Sequence, residues 1–526
     1  MRAGAFIYAG MIFFAGLSSV SAQHVLYCEP TGDRYTLRTD LAGRVGEYFW
    51  MQSTHRKRPT GRGPHVTEEQ YFDIYNARTK QVSTVPSYPV SDATLKEYLV
   101  AGDEYFDQLI LLGVGKKTLL FLQRYQADGR PIDLGRIIDT LPFNESGNSF
   151  ILVRSEDRQH LLLLGFQSIT SYPPKLHTLL FDKDWNPVYK RVYKHPFITQ
   201  PIIQDDFIGY PLEDFNSGPV KLANNGQWLM TSPSRTNTNF LLFHFNEMDT
   251  GMAYKEIQLP AGSSMEDVNL SLNNERGEAF AAVLSTYHYT VLKNVEVVHY
   301  SMDKRSFDFD SSYRFSTLMS GQVKDENMTR ESFIAVPGSG FLLMKEYGRP
   351  YTELYEEEND FDEEVDPASL FIPTSSIPEK SARVPVLHDG YARYPSLGAL
   401  GRDHVRGDLG LFYFPGQRPD SCWSAMLSKE QTTELNSTNL SYCVVPVNGR
   451  LFVLYNSFFR NEDQYGSTTV LDRQGDMLSD ALSPMFWKFK TTLLFQQARQ
   501  IATDELVIPY NTYGKNGFAV VKFEGD

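Results

Sequence analysis

The chain has 526 residues, with 50 basic and 64 acidic side chains, three cysteines, and 35 Phe, 30 Tyr and 5 Trp. A hydrophobic fraction of 41% supplies a packed core and excludes an intrinsically disordered chain. Three cysteines exclude a small scaffold held by several disulfides. The formal charge of −14 argues against nucleic acid as a partner, because such proteins present basic surfaces to the phosphates.

An apolar run stands near the start of the sequence. It follows Arg2, extends from Ala5 to Leu17, and leads into small residues that end at Ala22. This pattern predicts a signal peptide over residues 1–22, with Gln23 as the first residue of the mature chain. A transmembrane anchor needs roughly 20 apolar residues, and no later segment approaches that length. We therefore expect an exported protein without a transmembrane span, located in the periplasm, on the cell surface or outside the cell.

Two sequence phrases recur along the chain. The first is a turn with a charged or polar residue or Gly, followed by an apolar or aromatic run; its nine copies span 458 residues, a mean spacing of about 57. The nine turns lie at Gly46, Asp103, Arg158, Asn225, Arg276, Ser339, Gly410, Asn448 and Asp504. The second phrase is an alternating strand with a polar turn, and its strands end at Tyr75, Tyr125, Phe181, Phe245, Tyr300, Leu471 and Phe523. The 171 residues from Tyr300 to Leu471 equal three of these periods, so both phrases indicate one repeat.

The residue types in the repeat predict strands. Aromatic and β-branched residues alternate with polar ones between Asn, Asp and Gly turns. The segment from Ser91 to Val100 has a helix-capping residue, but it falls in phase with the repeat and is predicted to be a strand.

Repeats of 40 to 60 residues with about four short strands are typical of a β-propeller. In the polar turn Asp182–Asn186 and the strand that follows it, the chain resembles secreted bacterial propeller proteins. The resemblance implies an all-β propeller of about eight, between seven and nine, four-stranded blades. Residues 23–526 would then form a single repeat domain, which we expect to be a monomer.

Two charged segments interrupt the repeat. Residues 351–367 contain nine acidic side chains and continue as a Pro- and Ser-bearing insertion to residue 380. The second segment is basic and begins at His55. We predict that both segments follow the third strand of their blade, which would place them on one face, and that this face binds the partner. The residues assigned to these loops are Arg56, Lys57, Arg58, Arg62, Glu356, Glu357, Asp360 and Asp362.

Each charged segment has an alternative interpretation. Runs of like charge are commonly solvated surface loops, and the two segments also have opposite charge and would attract each other. Acidic clusters bind calcium through oxygen ligands, but the acidic segment lacks the glycine that an EF-hand loop needs. We therefore expect no cofactor, with calcium as the alternative.

The cysteines allow more than one arrangement. Export favours disulfides, and Cys422 and Cys443 would close a loop of about 20 residues. The competing arrangements are a bridge from Cys28 to either of these cysteines and three buried thiols.

Motifs for catalysis are missing from the sequence. It contains no G-x-x-x-x-G-K-[ST], H-E-x-x-H, G-x-S-x-G or C-x-x-C motif, so we assign no catalytic residues.

We predict a secreted binding or scaffold module that presents loops to a protein or glycan partner, rather than an enzyme. The alternatives are a glycan-active hydrolase or lyase with its site in the central channel, and a structural component of the cell envelope. Carboxylates or histidines that converge in the channel would favour the enzyme.

Overall fold

A computed structural model provides the structure of the protein. It describes residues 23–28, 36–57, 67–87, 93–144, 149–167, 173–196, 198, 208–212, 218–233, 239–246, 252–287, 293–314, 328–347, 404–406, 409–416, 422–427, 431–433, 442–459, 463–482, 492–495, 498–512 and 515–523. The regular secondary structure of these residues consists of β-strands.

The strands of the first half of the chain are β1 (Gln23–Cys28), β2 (Thr36–Val45), β3 (Tyr48–Lys57), β4 (Thr67–Asn76), β5 (Gln81–Pro86), β6 (Thr94–Ala101), β7 (Tyr105–Val114), β8 (Lys117–Gln126), β9 (Arg136–Leu141), β10 (Phe150–Arg154), β11 (His160–Gln167), β12 (Lys175–Asp182), β13 (Pro187–Lys194), β14 (Ile208–Gly209), β15 (Val220–Leu222), β16 (Trp228–Pro233), β17 (Asn239–Phe245) and β18 (Met252–Gln258). Those of the second half are β19 (Ser263–Asn273), β20 (Glu278–Tyr287), β21 (Lys293–Ser301), β22 (Ser306–Arg314), β23 (Met328–Val336), β24 (Gly340–Tyr347), β25 (His404–Arg406), β26 (Leu409–Pro415), β27 (Trp423–Leu427), β28 (Gln431–Thr433), β29 (Tyr442–Val447), β30 (Arg450–Phe459), β31 (Asp463–Leu471), β32 (Met477–Leu482), β33 (Thr492–Leu493), β34 (Arg499–Ala502), β35 (Glu505–Thr512) and β36 (Lys515–Phe523).

These strands form eight antiparallel blades. The strand sets, in chain order, are β2 to β5 for blade 1, β6 to β9 for blade 2, β10 to β13 for blade 3, β15 to β18 for blade 4, β19 to β22 for blade 5, β23, β24, β26 and β27 for blade 6, β29 to β32 for blade 7, and β33 to β36 with β1 for blade 8. Two short strands, β33 and β34, share the position of the first strand in blade 8, since both pair with β35. Strands β25 and β28 form a separate two-stranded sheet.

The first strand of each blade lies at the centre of the ring. First strands of successive blades contact each other, as β2 does with β6 and β15 does with β19. All residues of β10 are buried, whereas β13, the fourth strand of the same blade, is largely exposed. The inner strands therefore line a central channel, and the outer strands form the rim.

Hydrophobic clusters fill the space between neighbouring blades. One cluster lies at each of the eight blade junctions, including the junction between blades 8 and 1. Aromatic rings supply much of this packing: Trp50 of blade 1 stacks on Phe106 of blade 2 with 4.0 Å between ring centroids. The expected fold is confirmed as a closed β-propeller with eight four-stranded blades.

The first and last described strands meet in blade 8. Strand β1 pairs with β36 in an antiparallel register that runs from Gln23 opposite Phe523 to Cys28 opposite Phe518. Phe518 in turn packs against Phe49 of blade 1, with 5.6 Å between ring centroids. The N-terminal strand is thus the outermost strand of the last blade, and it covers an edge that would otherwise be open.

The structure confirms the expected eight blades and shows which of the nine turns does not begin a repeat. Eight of the nine turns precede the second strand of a blade, but Gly410 lies in β26, the third strand of blade 6. For the same reason, Tyr300 and Leu471 are two blades apart rather than three. A long connection between β24 and β26 adds about one period to this interval, which made an insertion look like a repeat. The predicted strand over residues 91–100 is confirmed as β6.

Candidate functional site

One face of the ring carries the turns between the first and second strands, which we call the mouth face. A cavity of about 660 Å³ lies there against turns of blades 3, 5, 6 and 7. The described residues that line it include Glu156, Asn273, Asn274, Glu275, Arg276, Gly338, Ser339, Tyr413, Asn448, Arg473 and Gln474. The lining thus combines amide, guanidinium, carboxylate and hydroxyl groups with the apolar side chains of Leu272, Val336 and three prolines.

Hydrogen bonds between blades fix the turns around this cavity. The Asn274 amide of blade 5 donates to the Glu156 carboxylate of blade 3 at 2.7 Å. The backbone N–H of Asn224 in blade 4 donates to the side-chain oxygen of Asn274 at 3.0 Å, and the N–H of Asp157 donates to Asn224 at 3.1 Å. Three blades are therefore coupled through short side chains, and the polar groups at the mouth are held in place.

A segment between blades 3 and 4 enters the central channel. Its strand β14 pairs in parallel with β6, so that Ile208 lies opposite Glu97. Leu212 then exchanges backbone hydrogen bonds of 2.8 Å with β10, one with Leu152 and one with Arg154. The segment therefore narrows the channel on the side of blades 2 and 3.

Four arginines surround a second, small cavity of about 20 Å³ at the mouth face: Arg44, Arg154, Arg158 and Arg499. They come from the inner parts of blades 1, 3 and 8. Gly43 and Ala101 also line this cavity, and a Cβ at Gly43 would lie 2.4 Å from the Cβ of Ala101. The close approach of blades 1 and 2 here requires a residue without a side chain.

The arginines connect blades that are distant in sequence. Arg158 Nη2 donates to the Ile501 carbonyl at 2.7 Å, which links blade 3 to blade 8 across the mouth. Arg499 Nη1 donates to the Leu41 carbonyl at 3.1 Å, and its guanidinium carbon lies 3.5 Å from the centroid of the Tyr210 ring. Arg44 forms an ion pair with the buried carboxylate of Glu505. Arg154 is buried and donates to the Ala101 carbonyl.

Arg158 has an unusual backbone conformation. Its φ is +60°, in the left-handed region, and its N–H donates to the Ser155 carbonyl at 3.0 Å. Gly226 has the corresponding place in the turn of blade 4, with a φ of +80° and the same bond to Ala223. An arginine in a conformation that favours glycine costs backbone free energy, a cost often found at functional positions.

The arginine cluster concentrates positive charge around the buried Arg154, while the other three arginines are partly exposed. Burial lowers the pKa of Arg154 well below its usual range, and the charges of Arg158 and Arg499 act in the same direction while Asp103 opposes them. Burial also lowers the pKa of Arg158, against the opposing charges of Asp103, Glu505 and Asp504. Because arginine keeps its proton in proteins, both groups stay cationic in spite of this burial.

Buried histidines of the described chain take part in structural contacts. His244 is hydrogen-bonded to Tyr300 at 2.8 Å and to Gln227 at 2.9 Å, which connects blades 4 and 5. Burial is the largest cause that lowers the pKa of His177 to about 4, and its ring packs on Phe143. Neither histidine belongs to the lining of the two cavities.

The charged loops expected from the sequence fall largely outside the described residues. Only the backbone of Arg56 and Lys57 is described, at the end of β3; Arg58, Arg62, Glu356, Glu357, Asp360 and Asp362 lie outside. The prediction that both segments follow a third strand is wrong, since β3 and β24 are second strands. Because both segments join a second strand to a third, they still start from one face, opposite the mouth face. We call this the insertion face.

The predicted disulfide between Cys422 and Cys443 is not formed in the structure. Cys443 is buried on the first strand of blade 7, in the cluster shared with blade 8. Cys422 packs against the cluster between blades 5 and 6, next to the fourth strand of blade 6. A separation of about twenty residues in sequence does not bring them together, because the chain passes from the rim of one blade to the centre of the next. The side chain of Cys28 lies outside the described residues.

The side chains of the described residues offer no evident metal site. They contain no group of three or more His, Cys, Asp or Glu that could hold a metal ion. The same part of the chain contains no helix long and apolar enough to cross a membrane.

Sequence reasoning missed the arginine cluster. Its members are separated by up to 455 positions, from Arg44 to Arg499, and only ring closure brings them together. A weak signal was available: Arg44, Arg154 and Arg158 each lie within a few residues of the turn that opens a repeat. Aligning the repeats on that turn would have placed them at one end of the inner strands.

The fold places the chain among the eight-bladed β-propellers. No family model matches the chain, and no curated protein matches it in sequence. Solved propellers are similar over most of its length. The WD40 domain of SCAP from fission yeast has 8% identity and a TM-score of 0.38, with 96% of this chain and 98% of that chain covered. The Dos1 propeller has 8% identity and a TM-score of 0.41, with 95% and 94% covered. The β-propeller domain of the Trilobed protease from Pyrococcus furiosus has 9% identity and a TM-score of 0.33, with 82% and 95% covered.

Proposed function

We propose that this propeller is an exported binding module that holds a glycan or a protein segment in the cavity at its mouth face. The observation that carries the proposal is the lining of the 660 Å³ cavity, in which hydrogen-bonding groups on cross-linked turns alternate with apolar surface. Hydrogen-bond donors and acceptors that are fixed before binding lose little conformational entropy when the ligand arrives.

A binding role is favoured over catalysis by the environment of the carboxylates. Two of them line the cavity among the described residues, and Glu156 accepts a hydrogen bond from Asn274. The other, Glu275, is exposed, whereas a general acid is usually a desolvated carboxyl group. The glycan-active enzyme stays the alternative, and parallel measurement of binding and turnover distinguishes the two.

Export is supported by the apolar run that precedes Ala22. The strand that closes the ring begins at Gln23, so removal of residues 1–22 would leave β1 complete. The location in the periplasm, on the cell surface or outside the cell is part of this proposal.

The test uses the chain from Gln23 to Asp526, a panel of polysaccharides and peptides, and calorimetry with parallel detection of products. We expect binding without turnover. Arg276→Ala and Gln474→Ala, both at exposed positions of the lining, should each weaken binding by about tenfold, as expected for the loss of one hydrogen bond to a polar ligand. Arg130→Ala is the matched control, because this exposed arginine lies outside the cavity lining. Product release by the wild type would favour the enzyme, and binding unchanged in both lining variants would contradict the proposed site.

A further inference from the structure

We propose that Arg158 and Arg499, with Arg44 and Arg154 around them, form an oxyanion site that anchors a carboxylate, sulfate or phosphate group of the ligand. This inference rests on the proposed function and specifies the ligand as acidic. The supporting observations are the donor supply, the charge balance, the size of the cavity and its position.

The donor supply comes from two guanidinium groups. Each guanidinium carries five N–H donors in a planar fork that matches an oxyanion. Within the described part of the chain, Arg158 uses one of these donors for Ile501, and Arg499 uses one for Leu41. Among the described residues, four N–H donors of each guanidinium therefore have no acceptor, and an anion from outside can accept from them.

The charge balance leaves positive charge unneutralised. Arg44 pairs with Glu505, but among the described residues neither Arg158 nor Arg499 has a carboxylate within 4.0 Å. Asp103, Asp504 and Glu505 lie close enough to Arg158 to affect its titration without forming an ion pair to it in this part of the chain. An anion between the guanidinium groups would relieve the mutual repulsion that contributes to the lowered pKa of Arg154.

The size of the cavity limits what it can hold. At about 20 Å³ it accommodates a single small group and excludes a whole sugar or side chain. The rest of the ligand must therefore lie outside the small cavity, and the turn of blade 3 leads from there to the large cavity. Arg158 lines the small cavity and Glu156, two residues earlier, lines the large one, so one ligand can fill both.

A purely structural role for the cluster is the competing explanation. Each arginine also connects the ends of inner strands near the junction where the ring closes, so substitution is expected to lower stability in either case. The two explanations differ in whether stability and binding respond to added oxyanions. Sulfate also stabilises proteins in general through exclusion from their surface, so the response must be compared between wild type and variants.

The experiment measures the thermal midpoint and the calorimetric affinity with sodium sulfate, sodium phosphate and sodium glucuronate, each against sodium chloride of equal ionic strength. We expect all three oxyanions to raise the wild-type midpoint above the chloride value. Arg158→Gln and Arg499→Gln should each weaken oxyanion binding by about tenfold or more. Arg499→Lys, which keeps the charge and loses the fork, should retain more affinity than Arg499→Gln. Arg130→Gln, at an arginine that pairs with Asp128 in an exposed turn of blade 2, is the control and should behave as wild type.

The outcomes separate this inference from the proposed function. A stronger response to glucuronate than to the inorganic anions would identify a carboxylate-bearing ligand, and a stronger response to phosphate or sulfate would identify an esterified one. Equal responses of the wild type, Arg158→Gln and Arg499→Gln would overturn the oxyanion site. A neutral polysaccharide that binds wild type and Arg158→Gln equally would leave the binding module standing without an acidic ligand. Oxyanion binding with no response to any polysaccharide or peptide would support the oxyanion site and contradict the proposed binding of a glycan or protein segment.

Discussion

Single residues with unusual environments lie at the inner strands of the ring. Glu97 on β6 is fully buried, at 0% exposure, and accepts a hydrogen bond of 2.7 Å from the Gln108 amide through Oε1. No described group donates to its Oε2. Burial is the largest cause that raises the pKa of Glu97 from 4.5 to about 7, and the Gln108 bond acts in the opposite direction. Inside the fold the carboxyl group is therefore mainly neutral below about pH 7.

We predict that Glu97→Gln stabilises the protein at high pH only. Between pH 4.5 and about 7 the folded chain keeps a proton that the unfolded chain has lost, so wild-type stability from this group falls as the pH rises. The loss is complete above about pH 7 and amounts to about 3 kcal/mol. The amide introduced by the substitution keeps an acceptor for Gln108 without a charge. Urea unfolding of wild type and variant should give the same free energy near pH 4 and a gain for the variant at pH 8.

Glu47→Gln is the control for this prediction, because Glu47 is exposed in the turn between β2 and β3. The free energy of unfolding of this variant should differ little from that of the wild type at both pH values. An advantage of Glu97→Gln that does not depend on pH would mean that the buried carboxyl is not the titrating group.

At the scale of the strand and turn, the sequence phrases were reliable because they report local chemistry. In all eight blades a turn followed by an apolar run leads into the second strand, and these strands are largely buried. The same chemistry also occurs at Gly410, where β26 is equally buried, so one third strand was counted as a repeat. Local pattern identifies a buried strand but does not give its position within the blade. That position depends on hydrogen-bonded neighbours that are far away in sequence.

Some turns conceal the contacts that they form. Trp185 has a φ of +64° at the turn position that Gly129 and Gly475 take in blades 2 and 7. Its indole is 2% exposed and donates to Asp107 of the neighbouring blade at 2.8 Å. Asp107 also binds Arg124 at 2.7 Å. The sequence identified this turn by its polar residues, but a tryptophan in a left-handed conformation is explained only by the packing between two blades.

The N-terminal strand is the element on which ring closure depends. We predict that deletion of residues 23–28 lowers the thermal midpoint and exposes the edge of β36, because β1 pairs with it along its whole length. An open edge promotes association, so the variant should elute as larger species in size-exclusion chromatography. Addition of a peptide with the sequence of residues 23–28 should restore part of the midpoint. Removal of residues 524–526 at the other end is the control and should change neither quantity.

An unchanged midpoint in the β1 deletion would mean that the junction between blades 8 and 1 holds the ring without this strand. A lowered midpoint with no effect of the peptide would contradict strand pairing as the cause.

At the scale of the whole molecule, the length of the chain is set by the number of blades and by the length of the connections between their strands. The eight clusters at the blade junctions distribute the core around the ring, and polar groups collect where the inner strands end at the mouth. The fold class and the existence of the ring followed from periodicity in the sequence. The arginine cluster could not be predicted in this way, because its residues come from blades 1, 3 and 8, which meet only when the ring closes.

The acidic insertion of residues 351–380 lies in sequence between the second and third strands of blade 6. Strands β24 and β26 pair directly, with Gly340 opposite Pro415 and Glu346 opposite Leu409. Blade 6 therefore has its four strands although the insertion separates its second strand from its third in sequence. We predict that replacing residues 351–380 with a short Gly-Ser linker leaves the urea midpoint and the binding of oxyanions at the mouth unchanged. Long surface connections cost little in stability, since the closure entropy grows only with the logarithm of length.

The same variant tests the two roles proposed for the acidic residues. If the insertion face binds a basic partner, the variant should lose binding to cationic peptides while the mouth face keeps its ligand. If the acidic residues bind calcium, calorimetry should detect calcium with wild type and not with the variant. A replacement that abolishes cooperative unfolding would contradict the predicted unchanged midpoint and would make the insertion part of the folded ring.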